Sequence, residues 1–212
     1  MLIRRAFSSI AMTAALMFAP MTIKSPVAAS NATSLASDPE PAPIVERKLD
    51  FGDFTLKTYD GHPFNLHDYA EDKRLIIVSY IAGWCENSNR NARVIKRLFD
   101  KYRDRGLGVV AVSEYSTPEE ITVYVNRIGV DYPVVVETDH LKARKESSHY
   151  RYRTQAGDAR KWGTPFHVII SAREIGQPRG GILARHVHTV SGEIIEAEAE
   201  TFIEQHLAGK AD

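Results

Sequence analysis

The feature that most constrains this chain is one uninterrupted stretch from a buried strand into an amphipathic helix. Leu75-Ile76-Ile77-Val78-Ser79-Tyr80-Ile81 is a nearly continuous apolar run. A strand of that kind is buried on both faces, so layers must cover the sheet above and below. After Ala82-Gly83-Trp84-Cys85, residues 86–104 read as a helix. Val94, Ile95, Leu98, Phe99 and Tyr102 fall on one face, with Arg93, Lys96, Arg97 and Lys101 outward. Gly106 supplies the stop.

The same alternation continues down the chain. Leu107 to Ser113 reads as a second buried strand. Thr117-Pro118-Glu119-Glu120 reads as a helix start, with a capping hydroxyl, proline in the first turn and acids against the dipole. That helix is expected to run to about Ile128. Pro133 to Val136, Phe166 to Ser171 and Ile182 to Val190 read as strands, the last two around a loop from Glu174 to Gly181. Residues 141–153 and 193–207 read as helices. Upstream, Phe51 to Leu56 and Phe64 to Leu66 flank an Asp60-Gly61 turn and predict a hairpin. Strands alternating with helices give an α/β fold, a central sheet flanked by helices.

The N-terminus has the pattern of a secretory signal. Arg4 and Arg5 precede an apolar run from Ile10 to Ala19, and Val27-Ala28-Ala29 offers small side chains for cleavage before Ser30. The run is shorter than the roughly 20 residues a membrane-spanning helix needs, so no stable membrane insertion is expected once the signal is removed. Residues 30–48, rich in Ser, Ala, Pro and Asp, read as a flexible linker, and the domain is expected over residues 49–212. The predicted location is therefore outside the cytoplasm, in a bacterial periplasm or beyond. Lys+Arg and Asp+Glu balance at 27 each. Removing Arg4, Arg5 and Lys24 with the leader leaves acids in slight excess, the wrong sign for a nucleic-acid binder.

Cys85 is the only cysteine. In an exported chain a lone thiol is either reactive or a liability. Its place between a buried strand and a helix start puts it among the free N–H groups of the first helical turn, where thiolate is favoured over thiol. The competing reading is an inert, buried cysteine acting as a small hydrophobe. Its position after Trp84, at a strand-to-helix junction, favours reactivity.

Residues 51–207 resemble the thioredoxin superfamily, in particular its exported TlpA/ResA-like, AhpC/TSA-redoxin-related branch. The resemblance rests on the Leu75–Ile81 strand, Gly83-Trp84-Cys85 with its helix, Gly106-Leu107-Gly108-Val109-Val110-Ala111-Val112-Ser113, and Trp162-Gly163-Thr164-Pro165-Phe166. It implies a thioredoxin-like fold with a mixed sheet and Cys85 as the attacking thiol. It also implies a cis proline at Pro165 across a shallow groove, with Trp84 and Thr164 beside the substrate. The departures are as informative. The family's Cys-x-x-Cys is Cys85-Glu86-Asn87-Ser88 here. A mixed disulfide is normally resolved by a second thiol. Ser88 can donate a hydrogen bond to Cys85 but cannot attack a disulfide. The two acids that handle protons in such proteins fall at Ser79 and Asn91.

The leading expectation is therefore monothiol exchange through Cys85 with Ser88 in support, acting on protein or small-molecule thiols and disulfides. A non-catalytic peptide-binding module is the alternative. A one-cysteine peroxide reductase ranks third, because the Pro and Thr or Ser that peroxiredoxins carry before their cysteine are Val78 and Ala82 here. No cofactor and no metal are assigned. His186 and His188 share a strand face but read as polar packing. The basic segment Lys142 to Arg153, with Arg160 and Lys161, reads as a solvated helix and loop.

Overall fold

The structure, a computed structural model, describes residues 38–176 and 181–208. The expected signal peptide, the linker up to residue 37 and part of the Glu174–Gly181 loop lie outside these residues. The remainder of the expected linker is not a linker throughout. Strand β1 (Pro41–Ala42) and strand β2 (Val45–Gly52) begin inside it. β2 buries Leu49 and Phe51 and pairs antiparallel with a late strand. Its Glu46-Arg47-Lys48 run, which reads as linker, is the solvated face of an edge strand, where charge prevents edge-to-edge association.

The expected hairpin forms with a shifted boundary. β3 (Thr55–Thr58) pairs with β4 (Pro63–Asn65) around Gly61, whose φ is 93°. Phe51 and Gly52 belong to β2. Leu66 opens a short helix, α1 (Leu66–Ala70), because the Asn65 side chain accepts from the Asp68 N–H. β5 (Leu75–Ile81) and α2 (Glu86–Tyr102) follow, then a 3-10 turn ending at Gly106 in the left-handed region. β6 (Leu107–Ser113) leads to α3 (Pro118–Ile128), which starts with a full capping box between Thr117 and Glu120. After β7 (Val134–Val136), the expected helix over 141–153 is two pieces. These are a 3-10 turn over Leu141–Lys145 and α4 (Ser148–Gln155), capped by Ser147. β8 (Phe166–Ser171), β9 (Ile182–Val190), β10 (Glu193–Ile194) and α5 (Glu196–Ala208) complete the chain.

Eight strands form one mixed sheet in the order β2-β9-β8-β5-β6-β7-β3-β4, with β5, β6 and β7 parallel and the others antiparallel. Stepping from β5 to β6 to β7 through right-handed crossovers places α2 and α3 on the same face. Side chains alternate accordingly. Leu75, Ile77 and Ile81 pack with Ile95, Leu98, Ile121, Tyr124 and Ile203 of α2, α3 and α5. Ile76, Val78 and Tyr80 pack with Leu66, Tyr152, Leu49 and Phe51 on the opposite face. The central strands β5 and β6 are buried at every position. Their carboxyl ends open where β5 meets α2, the place where an α/β sheet presents side chains for chemistry. Among the described residues no helix is long and apolar enough to cross a membrane.

Candidate active site

Cys85 is the N-cap of α2, in extended conformation and partly exposed. Local hydrogen bonds shape the loop before it. The Cys85 N–H donates to Ala82 O at 3.0 Å, and Asn89 Nδ2 donates to Gly83 O and Cys85 O at 2.9 and 2.8 Å. Gly83 lies so close to α3 that a Cβ there would sit 2.8 Å from Glu120 O, so the junction admits only glycine. Ser88 is fully buried, and its Oγ accepts from the Ala82 N–H at 3.3 Å. Ser88 thus supports the loop that carries the thiol. The sulfur points elsewhere: Sγ donates to Thr164 O at 3.4 Å.

That carbonyl belongs to the facing loop. The Thr164–Pro165 peptide is cis, and Gly163 is held at φ 71°. Three successive carbonyls are each engaged. Gly163 O accepts from His149 Nε2 and Arg160 Nη2 at 3.2 and 2.9 Å. Thr164 O faces the sulfur, and Pro165 O accepts from Arg160 Nη2 at 2.9 Å. Arg160 also grips the buried Asp158 carboxylate, which lies 3.9 Å from Arg153, itself buried. The basic segment expected to be solvated therefore turns two of its arginines inward, because buried Asp158 and free loop carbonyls offer partners.

Behind the site lies a set of buried polar groups. Asn91 Oδ1 accepts from the Ile194 N–H at 2.7 Å, which fixes the amide so that Nδ2 faces His167 Nε2 at 3.1 Å. His167 pairs across β5–β8 with Ser79. Ser79 and Asn91, the positions at which the resemblance implied acids, are thus both next to this histidine. Burial pushes His167 down to about 3, so the ring is neutral and Nε2 accepts. His149, likewise pushed by burial to about 3, gives its Nε2 proton to Gly163 O and takes the Tyr115 hydroxyl at Nδ1, 2.9 Å away. Tyr115 adopts φ 58°, which is rare for an aromatic residue. There its carbonyl accepts from Trp84 Nε1 at 3.1 Å. Next to it Glu114 is fully buried and accepts from Thr138 Oγ1 at 2.6 Å. Burial above all, with the Glu137 carboxylate nearby, holds Glu114 well above the usual carboxylate range. Glu137 accepts from both the N–H and the hydroxyl of Ser148.

Beside the thiol, Trp84 and Trp162 meet edge-to-face at 5.6 Å. With Tyr115 and Leu141 they line a groove of about 650 Å³, rimmed by Glu120, Asp139 and Lys142. Trp84, Cys85, Thr164 and Pro165 thus lie on the two loops that face each other across the sulfur, and Ser88 lies in the first turn of α2 beneath them. His186 and His188 lie apart from them: His188 packs on Phe202 and His206 of α5. Among the described residues, the group that brings metal-type ligand atoms within 4.8 Å of one another is His67 and Asp68 of α1 with Glu71 at its C-cap. Sequence reasoning missed His149 and His167, whose partners Tyr115 and Asn91 are distant in the chain, and Arg160, whose near neighbours carry no sign that they are buried.

The sheet order, the thiol at a strand-to-helix junction and the proline loop opposite it define a thioredoxin-fold protein. The chain belongs to the AhpC/TSA family, whose model matches residues 49–172. It is 26% identical over 178 residues to a probable phospholipid hydroperoxide glutathione peroxidase of Citrus sinensis, covering 75% of this chain and 97% of that protein. It is 24% identical over 85 residues to the thiol-disulfide oxidoreductase ResA of Geobacillus kaustophilus, covering 40% of this chain and 48% of that one. Among solved structures, a thioredoxin-family thiol:disulfide interchange protein from Chlorobium tepidum superposes with TM-score 0.54 at 19% identity, over 81% of this chain and 99% of that one.

Proposed function

We propose that this protein is an exported monothiol thiol–disulfide exchange protein acting through Cys85. The observation that carries the reading is a partly exposed thiol at a helix N-cap facing the Pro165 loop, with a buried serine where a resolving thiol would sit. Cys85, as thiolate, attacks one sulfur of a partner disulfide. The other partner sulfur leaves as thiolate, and a mixed disulfide remains. A dissolved thiolate then attacks the partner sulfur of that bond and frees Cys85. Trp84, Thr164 and Pro165 hold the partner chain, and the signal pattern at the N-terminus supports a location outside the cytoplasm.

The test uses a peptide disulfide and a fixed external thiol. The wild type is expected to form a trappable adduct on Cys85, and Cys85→Ser none. Ser88→Cys places a thiol one turn on, so resolution becomes intramolecular and turnover rises about tenfold or more. An accessible, alkylatable Cys85 that forms no adduct would replace this reading with the non-catalytic binding module.

A second reading is favoured by the similarity to glutathione peroxidases, which spans nearly their whole length. Cys85 would then attack a hydroperoxide, giving a sulfenic acid and an alcohol. Two external thiols would return it to the thiol, with release of water and a disulfide. Peroxide-dependent labelling of Cys85 by a sulfenic-acid probe, faster than disulfide exchange, would put this reading first.

A further inference from the structure

The loop that faces the sulfur is held by Arg160, and Arg160 is in turn held by the N-terminal strap, the segment that leads into β1. One nitrogen of Arg160, Nη2, donates to both Gly163 O and Pro165 O, each at 2.9 Å. These carbonyls flank the Thr164 carbonyl that accepts from Cys85 Sγ. Fixing a carbonyl on either side fixes the orientation of the one between. The guanidinium is itself over-determined. Its Nε and Nη2 bond the buried Asp158 carboxylate, and Nη1 reaches Glu40 at 2.8 Å.

Glu40 lies immediately before β1 and has its own anchorage. The Glu193 N–H donates to Glu40 O at 2.7 Å, and the Glu40 N–H donates to the Glu193 carboxylate at 3.2 Å. The same Glu193 carboxylate is gripped by Arg90 at 2.8 Å, and Arg90 stands in the second turn of α2, the helix that Cys85 caps. Gly192 provides the seat, because a Cβ there would fall 2.2 Å from Glu40 O. The sequence of contacts is continuous: α2, Arg90, Glu193, Glu40, Arg160, and then the loop opposite Cys85.

We propose that Arg160 is a positioning residue for the Cys85 site and that Glu40, on the N-terminal strap, sets Arg160. The strap then holds the thiol helix and the facing loop at a fixed separation. The effect on turnover rests on the exchange reading above; the effect on the loop does not. Arg160→Lys keeps the charge but cannot serve four acceptors in fork geometry. Glu40→Gln keeps the shape and removes the ion pair.

Three measurements on the full chain test the proposal: amide exchange of residues 162–166, alkylation of Cys85 by iodoacetamide, and adduct formation with a peptide disulfide. Arg160→Lys is expected to speed loop exchange about tenfold, and Glu40→Gln about threefold. Adduct formation should slow about fivefold in Arg160→Lys, while alkylation by the small reagent stays within about twofold, because positioning affects a bound partner more than a free reagent. Glu40→Gln should add nothing in the Arg160→Lys background, the non-additivity expected of residues acting through one another. Unchanged loop exchange in both folded variants would overturn the proposal, whatever the activity. If the loop responds as expected but the wild type forms no adduct, the positioning role stands and the exchange reading falls. Glu40→Gln, a surface change, keeps the test decisive if Arg160→Lys fails to fold.

Discussion

The two loops that meet at Cys85 are built by opposite means. The thiol side, residues 82–89, is held by bonds that span a few residues: Asn89 to Gly83 and Cys85, Ser88 to Ala82. The proline side, residues 163–165, is held by His149 and Arg160, backed by Arg153 and the buried Asp158. The first is uncharged: besides these bonds, the Gly83 N–H donates to Ser116 Oγ at 2.8 Å and Trp84 Nε1 to Tyr115 O at 3.1 Å. The second is charged: Arg160 reaches Asp158, Gly163 and Pro165, two to five residues away, while His149 and Arg153 come from α4. A loop held by neutral hydrogen bonds keeps its shape whatever the ionisation of its neighbours. A loop held by buried charges depends on every partner being present and correctly ionised.

The sharpest way to break this contrast is to remove the charge at the centre of the proline side. Asp158→Asn leaves Arg153 and Arg160 buried without their shared carboxylate and is expected to cost about 3 kcal/mol, read from urea unfolding. A loss under about 1 kcal/mol would mean that the two arginines find solvent instead. The next effect is pH. Both His149 and His167 are held near 3 by burial, whereas an unfolded histidine titrates near 6.5. Below about 6.5 the unfolded chain takes up these protons and the folded chain does not. Stability therefore falls as pH drops from about 6.5 toward 3, by up to about 1.4 kcal/mol per pH unit for each ring. His149→Gln, which keeps donors and acceptors but does not titrate, should halve that slope; equal slopes would remove His149 from the account.

On the thiol side, Asn89→Ala is expected to cost about 1–2 kcal/mol and to raise amide exchange mainly within residues 83–86. Spread of that effect to residues 162–166 would show that the two sides are not independent. The smallest effect lies at Glu114. Its folded value is raised, so the stability it contributes is complete below about 4.5 and is lost as pH rises toward that folded value. Glu114→Gln should flatten this loss, gaining about 1 kcal/mol at the alkaline end and leaving the acid end set by the histidines. No change in the pH profile would mean that burial does not hold the Glu114 carboxyl protonated.

The same contrast explains what could be read from residues alone. β5, α2, β6, α3, β8 and β9 were legible because each carries its own signal: an apolar run, a 3.6-residue stripe, a capping box. Cys85 was legible because it stands at the junction of two such signals. β1 and β2 were not, since Pro, Glu, Arg and Lys there look solvated until β9 and β10 supply partners. Arg153 and Arg160 were read as surface charge for the same reason: nothing near them in sequence says that Asp158 is buried and that loop carbonyls are waiting. The polar run Asn87-Ser88-Asn89 would be expected at the surface of a helix. It is buried because the loop over it needs donors and acceptors.

The sequence has two tryptophans, and both stand at this site, edge-to-face at 5.6 Å. Each belongs to one of the two loops: Trp84 precedes the thiol and Trp162 precedes Gly163. The protein therefore carries a built-in optical gauge once the indoles are excited selectively over the nine tyrosines. Intrinsic fluorescence, and the near-ultraviolet dichroism of two coupled indoles, report the separation of the loops directly. Adduct formation at Cys85 can be followed in real time, without a label.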